Sequence, residues 1–215
     1  MAGLPTNFQA VSPVLASYDW LDVTSGAGYR RYYACASDIE GAATYFLSPR
    51  SLDAPSRLWY TQANVNIGAA AKIIDLDFDI EFKVPAVIYG DSFVNLTYNV
   101  NTQANIDDTY IIIKVYHVTS GGTETQIGTA QTSNYSWGAA PPYYHREAIK
   151  VNLSKKHFAK TDKLRLTVEG WGGDASGGKM ILYYDPTSSK TYSDNPDSRT
   201  IGTDLIFDCP FQVNL

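Results

Sequence analysis

The sequence predicts an all-β protein, an antiparallel β-sandwich of the jelly-roll type with an extended N-terminal arm. Three observations favour this fold class. Sixteen tyrosines, many valines and threonines and only two methionines suit strands better than helices. Short runs of alternating apolar and polar residues recur along the chain, separated by turns rich in Gly, Pro, Ser and Asp. Many short strands joined by long and uneven connections are typical of a jelly roll.

The first element is the arm, predicted over residues 1–17, ahead of a single sandwich domain over residues 18–215. The stretch MAGLPTNFQAVSPVLAS has no charged side chain and is interrupted twice by proline. Such a segment cannot form a core of its own. It also lacks the positively charged start of a signal peptide, so we expect synthesis in a cytoplasm. Its apolar residues are predicted to contact a neighbouring subunit: Leu4, Phe8, Val11 and Val14.

Strand patterns then follow one another to the end of the chain. The predicted strands are residues 29–37, 43–48, 56–65, 73–84, 93–100, 110–118, 124–132, 147–153, 163–171, 179–185 and 203–215. Between the sixth and seventh, the stretch VYHVTSGGTETQI predicts a hairpin that turns at Gly121 and Gly122. No internal repeat and no second domain are evident.

The stretch IIDLDFDIEFKV, residues 73–84, raises the question of a metal or catalytic site. Two sets of residues alternate in it: the acids Asp75, Asp77, Asp79 and Glu81, and the apolar residues Leu76, Phe78, Ile80 and Phe82. Alternate side chains on a strand lie roughly 6.6–7 Å apart, so four of them cannot converge on one cation. We interpret the acids as the solvent-facing side of a strand. The alternatives are an acidic contact surface for a basic neighbour and a cation site, and Lys163 and Arg165 are predicted counter-charges.

No catalytic, cofactor-binding or metal-binding residue is predicted. The chain has no GxSxG, HExxH, P-loop or GxGxxG motif. None of the three histidines, His117, His145 and His157, has an Asp or Cys at a spacing typical of a triad or a metal pair. Cys35 and Cys209 are far apart and lack zinc-site spacing, so we predict that both are buried free thiols.

The composition limits the classes of partner that we expect this protein to bind. The 215 residues are 44% hydrophobic and 18% charged, which is enough apolar surface for a folded core. The formal net charge is −5 and there is no basic run, so we expect no direct contact with nucleic acid. No stretch of about 18 apolar residues could cross a membrane as a helix, so we expect no membrane partner.

The aromatic content is the strongest sign of a binding surface. Residues 132–144, TSNYSWGAAPPYY, are predicted to form a long loop. It carries four candidate interface residues: Tyr135, Trp137, Tyr143 and Tyr144. Exposed aromatic rings pack on neighbouring subunits or stack on sugar rings. We favour packing at an interface and keep sugar binding as the alternative.

Six blocks of sequence occur in a fixed order after residue 17: YDWLDVTSGAGYRRYYA, DLDFDIEFKVPAVIYGDSFVNLTY, VYHVTSGGTETQIG, HFAKTDKLRLTVEGWG, YYDP and DLIFDCPFQVNL. Their order resembles a group of largely uncharacterised virion proteins of tailed phages, over most of residues 18–215. The resemblance implies a structural β-sandwich protein of the particle, with no enzymatic residues to transfer.

From these observations we expect a non-enzymatic structural protein, located in a virion and made in the host cytoplasm. The favoured function is that of a capsid decoration or minor capsid protein. It would form a homo-oligomer and bind other virion proteins, either the major capsid protein or tail subunits. The alternative is a carbohydrate-binding, receptor-binding module of a phage tail that contacts a surface glycan. A hydrolase is the weakest hypothesis, because no nucleophile, base or acid pair stands out.

Overall fold

The computed structural model describes residues 16–17, 27–37, 43–50, 60–64, 66–67, 69–101, 106–137, 143–174, 178–184, 190–191, 200–201 and 204–212. Within these ranges the regular secondary structure is all β, as predicted. The strands in chain order are β1 (Ala16–Ser17), β2 (Ala27–Ser37), β3 (Thr44–Ser48), β4 (Tyr60–Asn64), β5 (Asn66–Ile67), β6 (Ala71–Glu81), β7 (Ala86–Asn101), β8 (Ile106–Val118), β9 (Glu124–Gln131), β10 (Tyr135–Trp137), β11 (Tyr143–Phe158), β12 (Lys163–Asp174), β13 (Lys179–Tyr183), β14 (Lys190–Thr191), β15 (Thr200–Ile201) and β16 (Ile206–Gln212).

Eight of these strands form two facing sheets. Sheet one has the order β6-β12-β8-β9, and sheet two has the order β2-β16-β7-β11; all of these neighbours pair antiparallel. Numbered one to eight along the chain, the strands run 2-7-4-5 in sheet one and 1-8-3-6 in sheet two. This is the strand order of a double-sheet jelly roll, so the predicted fold class is confirmed.

Shorter strands complete the sandwich. On one flank, β3 pairs antiparallel with β2 and meets β6 at Phe46 and Asp79, so it joins the two sheets. Beyond β16, strand β13 pairs with the end of β7. Strand β4 pairs with the other edge of β13. The two residues of β1 pair with Tyr29 and Arg30 of β2.

The core lies between the sheets and follows the predicted alternation. Phe78 of β6 and Leu166 of β12 are directly opposite each other in the register, and both are fully buried. The ring of Phe82, just after β6, packs 4.9 Å from that of Phe158 on β11, which links sheet one to sheet two. The ring of Tyr184 meets that of Phe78 edge-on at 5.7 Å. The apolar side of the acidic stretch therefore faces inward, as predicted.

On the other flank the two sheets approach each other at Gly128 of β9. A Cβ atom added there would lie 2.6 Å from a methyl carbon of Leu153 and 2.9 Å from the backbone oxygen of Asn152, both on β11. The Ser154 hydroxyl of β11 donates a hydrogen bond to the carbonyl of Ile127, at 3.0 Å. Only glycine permits this contact, because any side chain would push β9 away from β11.

The predicted hairpin between β8 and β9 is present. The amide of Gly122 donates to the carbonyl of Thr119 at 2.9 Å, and the amide of Thr119 donates to the carbonyl of Thr123 at 2.9 Å. Gly122 has a φ of 84°, a left-handed conformation that favours glycine. Gly122 therefore supplies the backbone freedom that the turn requires.

The structure corrects the predicted loop over residues 132–144. Tyr135–Trp137 forms β10, which pairs with the start of β8, and Tyr143 and Tyr144 begin β11 and pair with β7. These short segments lack strict alternation, so their sequence alone did not mark them as strands. Cys35 and Cys209 are buried and form no disulfide, as predicted. No helix in the described part of the chain has the length and apolarity to cross a membrane.

Candidate functional site

The outward side of sheet one carries paired charges and is called the charged face. The register sets Glu81, Asp79, Asp77 and Asp75 of β6 opposite Lys163, Arg165, Thr167 and Glu169 of β12. Lys72, Lys114 and Glu124 extend this face. The predicted counter-charges Lys163 and Arg165 thus lie opposite the acidic row.

Arg165 is at the centre of the charged face. Its Nε and Nη2 atoms donate to the two carboxylate oxygens of Asp79, at 2.7 and 2.9 Å. Its Nη1 atom donates to Glu124 Oε1 at 2.6 Å, and lies 3.2 Å from Asp77 Oδ2. The hydrogen bonds to Asp79 are the main cause that raises the pKa of Arg165. One guanidinium therefore neutralises carboxylates from both edges of sheet one.

Glu169 is a buried carboxylate on the same face. It accepts hydrogen bonds from Lys114 Nζ at 2.6 Å and from the indole Nε1 of Trp171 at 3.1 Å, and Lys72 Nζ lies at 3.4 Å. Burial opposes ionisation, but the bonds from Lys114 and Trp171 outweigh it, so the pKa of Glu169 is lowered overall. Trp171 in turn stacks on Tyr110, with ring centroids 5.8 Å apart.

The charged face therefore satisfies its own charges. Each acid of the β6 row has a Lys or Arg nitrogen within 4.0 Å. Among the described residues, no group of three or more His, Cys, Asp or Glu side chains is arranged to hold a metal ion. The charges on this face are thus paired within the face itself.

The outward side of sheet two is different and is called the aromatic face, centred on Tyr29, Tyr89 and Phe93. Tyr29 of β2 is 37% exposed, Phe93 of β7 is 39% exposed and Tyr89 of β7 is 55% exposed. The rings of Tyr29 and Phe93 lie 6.3 Å apart, across the intervening strand β16. Tyr89 lies four residues before Phe93 on the same strand, and both rings are exposed.

Polar side chains surround these rings. On one side, Arg31 Nε and Nη2 donate to the carboxylate of Asp208, at 2.8 and 2.9 Å. On the other side, Asp91 accepts a hydrogen bond from Asn152 Nδ2 at 2.9 Å and pairs with Lys150 Nζ at 2.6 Å. The hydrogen bond from Lys150 is the main cause that lowers the pKa of Asp91. The aromatic face thus combines exposed rings with a rim of preorganised hydrogen-bonding groups.

The third candidate is a buried histidine–carboxylate pair at one end of the sandwich. His117 Nε2 lies 2.7 Å from Asp162 Oδ2. Asp162 also accepts the backbone amides of Ala159 at 2.8 Å and Ser120 at 3.2 Å. His117, the Ala159 amide and the Ser120 amide together lower the pKa of Asp162.

Such a pair orients a base in hydrolases, where the second imidazole nitrogen activates a nucleophile. In the described part of this chain, His117 Nδ1 is buried and has no hydrogen-bond partner. Asp162 ties the β8–β9 hairpin to the turn between β11 and β12, because it binds His117 and the Ser120 amide on one side and the Ala159 amide on the other.

The residues predicted to form an interface are only partly placed. Leu4, Phe8, Val11 and Val14 lie outside the described residues. Tyr135 and Trp137 lie on β10, paired with β8, and Tyr143 and Tyr144 lie on β11, paired with β7. Their side chains lie outside the described part of the structure. All eight remain predictions.

Sequence reasoning missed the aromatic face. Tyr89 and Phe93 stand on the solvent-facing phase of β7, opposite in phase to the buried residues Ile88 and Val94. Large aromatic side chains on the polar phase of a strand are the signal that could have found them. The contact between Tyr29 and Phe93 could not be found in this way, because it depends on which strands become neighbours.

Comparison with known proteins supports the fold of this chain and does not extend to its function. No protein-family model and no curated protein matches the sequence. Among solved structures, the chain is similar to an aminopeptidase from a marine sediment archaeon, Thaumarchaeota archaeon, with a TM-score of 0.58 and 8% identity. It is also similar to an α-amino acid ester hydrolase, with a TM-score of 0.54 and 10% identity. These matches cover 86% and 85% of this chain.

The chain spans only 37% and 36% of the length of those two enzymes. A chain of the infectious bursal disease virus Gx strain matches with a TM-score of 0.28 and 9% identity, over 72% of this chain and 35% of the viral one. That score is too low to support an argument. What these comparisons support is a β-sandwich domain whose fold also occurs within much longer hydrolases.

Proposed function

We propose that this chain is a non-enzymatic structural protein of a phage particle, a capsid decoration or minor capsid protein, and that its aromatic face binds a neighbouring virion protein. The aromatic face is the observation that carries the proposal. The six ordered sequence blocks resemble those of tailed-phage virion proteins, and for this reason we propose a phage particle as the assembly.

The composition of the aromatic face favours a protein partner. The centre of a protein–protein interface is enriched in Tyr, Phe and Arg, and its rim is polar. Here Tyr29 and Phe93 form the apolar centre, and the Arg31–Asp208 and Asp91–Lys150 pairs form the rim. Rim pairs of this kind need no rearrangement on binding and help to exclude water from the central contacts.

The contrast with the charged face indicates which side of the sandwich docks. The two faces belong to opposite sheets of one sandwich, so a partner on one leaves the other exposed. The charged face presents ion pairs, whereas the aromatic face presents three exposed rings. Burying apolar surface supplies most of the free energy of association, so we assign docking to the aromatic face.

The test is reconstitution of particles that were assembled without this protein. Purified protein is added, and its co-sedimentation with the particles is measured as a function of concentration. We expect Phe93→Ser and Tyr89→Ser each to raise the Kd at least about tenfold, because truncating an aromatic anchor costs about 1–2 kcal/mol or more. Val84→Ser is the matched control, because Val84 is 67% exposed but lies in the turn between β6 and β7.

Unchanged binding of both aromatic variants would contradict docking through this face. Loss of binding by Val84→Ser to the same extent would show a general effect of lost surface hydrophobicity. Homo-oligomer formation is measured separately, by light scattering of the free protein. We expect the aromatic variants to weaken any oligomer that uses the same face.

Carbohydrate binding by a tail module is the second candidate, and one observation favours it. Asp91, Asn152 and Lys150 form a hydrogen-bonded cluster between the exposed rings of Tyr89 and Phe93. Planar polar groups beside aromatic rings can bind the hydroxyls and the apolar side of a sugar. Binding of the wild-type protein on a glycan array, lost in Tyr89→Ser and retained in Val84→Ser, would favour this candidate over a protein partner.

A further inference from the structure

Arg30 occupies an unusual position on β2. Its neighbours in alternation, Tyr32 and Ala34, are buried in the core, whereas Arg31 points out to the aromatic face. Arg30 therefore lies on the inward phase of the strand. In the register it is opposite Cys209 of β16, another buried core residue. A guanidinium at the core side of a sheet requires a compensating partner, because desolvating an unpaired charge is costly.

The described residues supply no such partner. No carboxylate among them forms an ion pair with Arg30, and its Nε atom is buried without a hydrogen-bond acceptor. Within the described part of the chain, its guanidinium carbon lies 5.5 Å from the centroid of the Tyr32 ring, which is a cation–π distance. The side chain as a whole is only partly buried, and its Nη atoms are not among the buried unpartnered atoms. A ligand can therefore reach the Nη end from solvent.

We propose that Arg30 is an oxyanion-binding residue, which takes the carboxylate or phosphate group of a ligand at the end of its guanidinium. A guanidinium offers parallel N–H donors that match two oxygens of either group. The guanidinium lies against the Tyr32 ring, so part of its side-chain freedom is already lost before a ligand binds. The neighbouring thiol of Cys209 is buried and neutral, since burial raises its pKa, and it cannot supply the missing negative charge.

The next residue in the chain provides a matched control. Arg31 has the same charge and the same side chain, and it is exposed, but its Nε and Nη2 donors are already bound to the carboxylate of Asp208. A non-specific effect of anions on a positively charged surface would involve Arg31 at least as much as Arg30. A specific site would involve Arg30 alone.

The experiment measures the melting temperature in sodium phosphate, in sodium acetate and in sodium chloride at matched ionic strength. We expect phosphate or acetate to raise the melting temperature of the wild-type protein by about 2–4 °C above chloride, as for a ligand present well above its Kd. We expect Arg30→Met to lose this increment and Arg31→Met to keep it. An increment in phosphate alone assigns a phosphate ligand, and one in both salts assigns an oxyanion of either kind.

Two results would overturn the proposal: no increment in either salt with the wild-type protein, or an increment that Arg30→Met retains. Should Arg30→Met fail to fold, a second measurement replaces it. The Nε–H signal of Arg30 is followed by NMR in the wild-type protein during titration with inorganic phosphate and with acetate. Arg30→Lys, which keeps the charge but loses the fork of donors, identifies that signal by its disappearance. A signal that stays unchanged in both titrations excludes the site.

Discussion

Arg165 of β12 binds Asp79 of β6 through two parallel hydrogen bonds, from Nε to Oδ1 at 2.7 Å and from Nη2 to Oδ2 at 2.9 Å. Such bidentate, charge-assisted pairs are stronger than single contacts between exposed side chains. Both side chains are largely covered, with 19% and 23% exposed. Asp79 therefore differs from the other acids of its row, although all four look equivalent in the sequence.

This difference predicts unequal effects of removing the charges. We expect Asp79→Asn to lower the free energy of unfolding by about 1–2 kcal/mol, because Arg165 loses a bidentate partner. We expect Asp77→Asn to lower it by less than about 1 kcal/mol, as for a mostly exposed acid. Urea denaturation of both variants measures the two values. Equal and small effects would mean that the Arg165–Asp79 pair contributes no more than an ordinary surface ion pair.

The facing core residues Phe78 and Leu166 give a second prediction. Both are fully buried and directly opposite each other. We expect truncation of either one to Ala to lower the free energy of unfolding by about 2–5 kcal/mol, through lost burial and the cavity that remains. Because they are neighbours, the double variant should deviate from the sum of the two. Near-neutral midpoints for both single variants would show that the register is shifted by one residue.

The lowered pKa of Asp162 leads us to expect that the stability of the fold depends on pH. Its pKa is lowered in the folded protein, first by the hydrogen bond from His117 and then by the amide of Ala159. A carboxyl group of this kind stabilises the fold once the pH is above its ordinary pKa, and this contribution disappears as the pH falls through the lower, folded value. We expect the wild-type urea midpoint to drop as the pH falls below about 4. Asp162→Asn should be less stable at neutral pH and should show a shallower acid dependence, and identical slopes would refute this role.

The N-terminal arm gives a fourth prediction. Burying Leu4, Phe8, Val11 and Val14 against a neighbour could contribute roughly 1.5–3 kcal/mol each before the cost of ordering. We expect deletion of residues 2–16 to leave the sandwich folded and to weaken its oligomer or its attachment to the particle. A variant with these four residues changed to Ser should behave like the deletion. A lower melting temperature of the monomer with assembly intact would instead place the arm along its own sandwich, where β1 already pairs with β2.

Local alternation explains which parts of the fold were predictable. The phase of β6 and β12 follows from strict alternation, so the burial of Phe78 and Leu166 and the outward acids could be read from the sequence. The pairing of Lys163 and Arg165 with the acids followed from their charge and from their alternation with Leu164 and Leu166. By contrast, β10 is three residues long and owes its conformation to pairing with β8, so its sequence has too few positions to show a period.

The candidate surfaces depend on contacts between distant parts of the chain. Tyr29 and Phe93 meet because β16, from the end of the chain, inserts between β2 and β7. Arg165 reaches Glu124 only because β8 separates β12 from β9 by a single strand. Neither arrangement leaves a local pattern, because strand order is set by the packing of the whole sandwich.

Gly128 determines which sides of this protein remain open to another chain. Long unpaired strand edges recruit further strands and lead to fibres, a hazard for any protein held at high local concentration. Along residues 151–154, β11 has its outer edge against β9, at a distance that leaves no room for even one methyl group. An incoming strand cannot insert there without opening the sandwich. Copies crowded side by side can therefore touch at this flank without exchanging or extending their sheets.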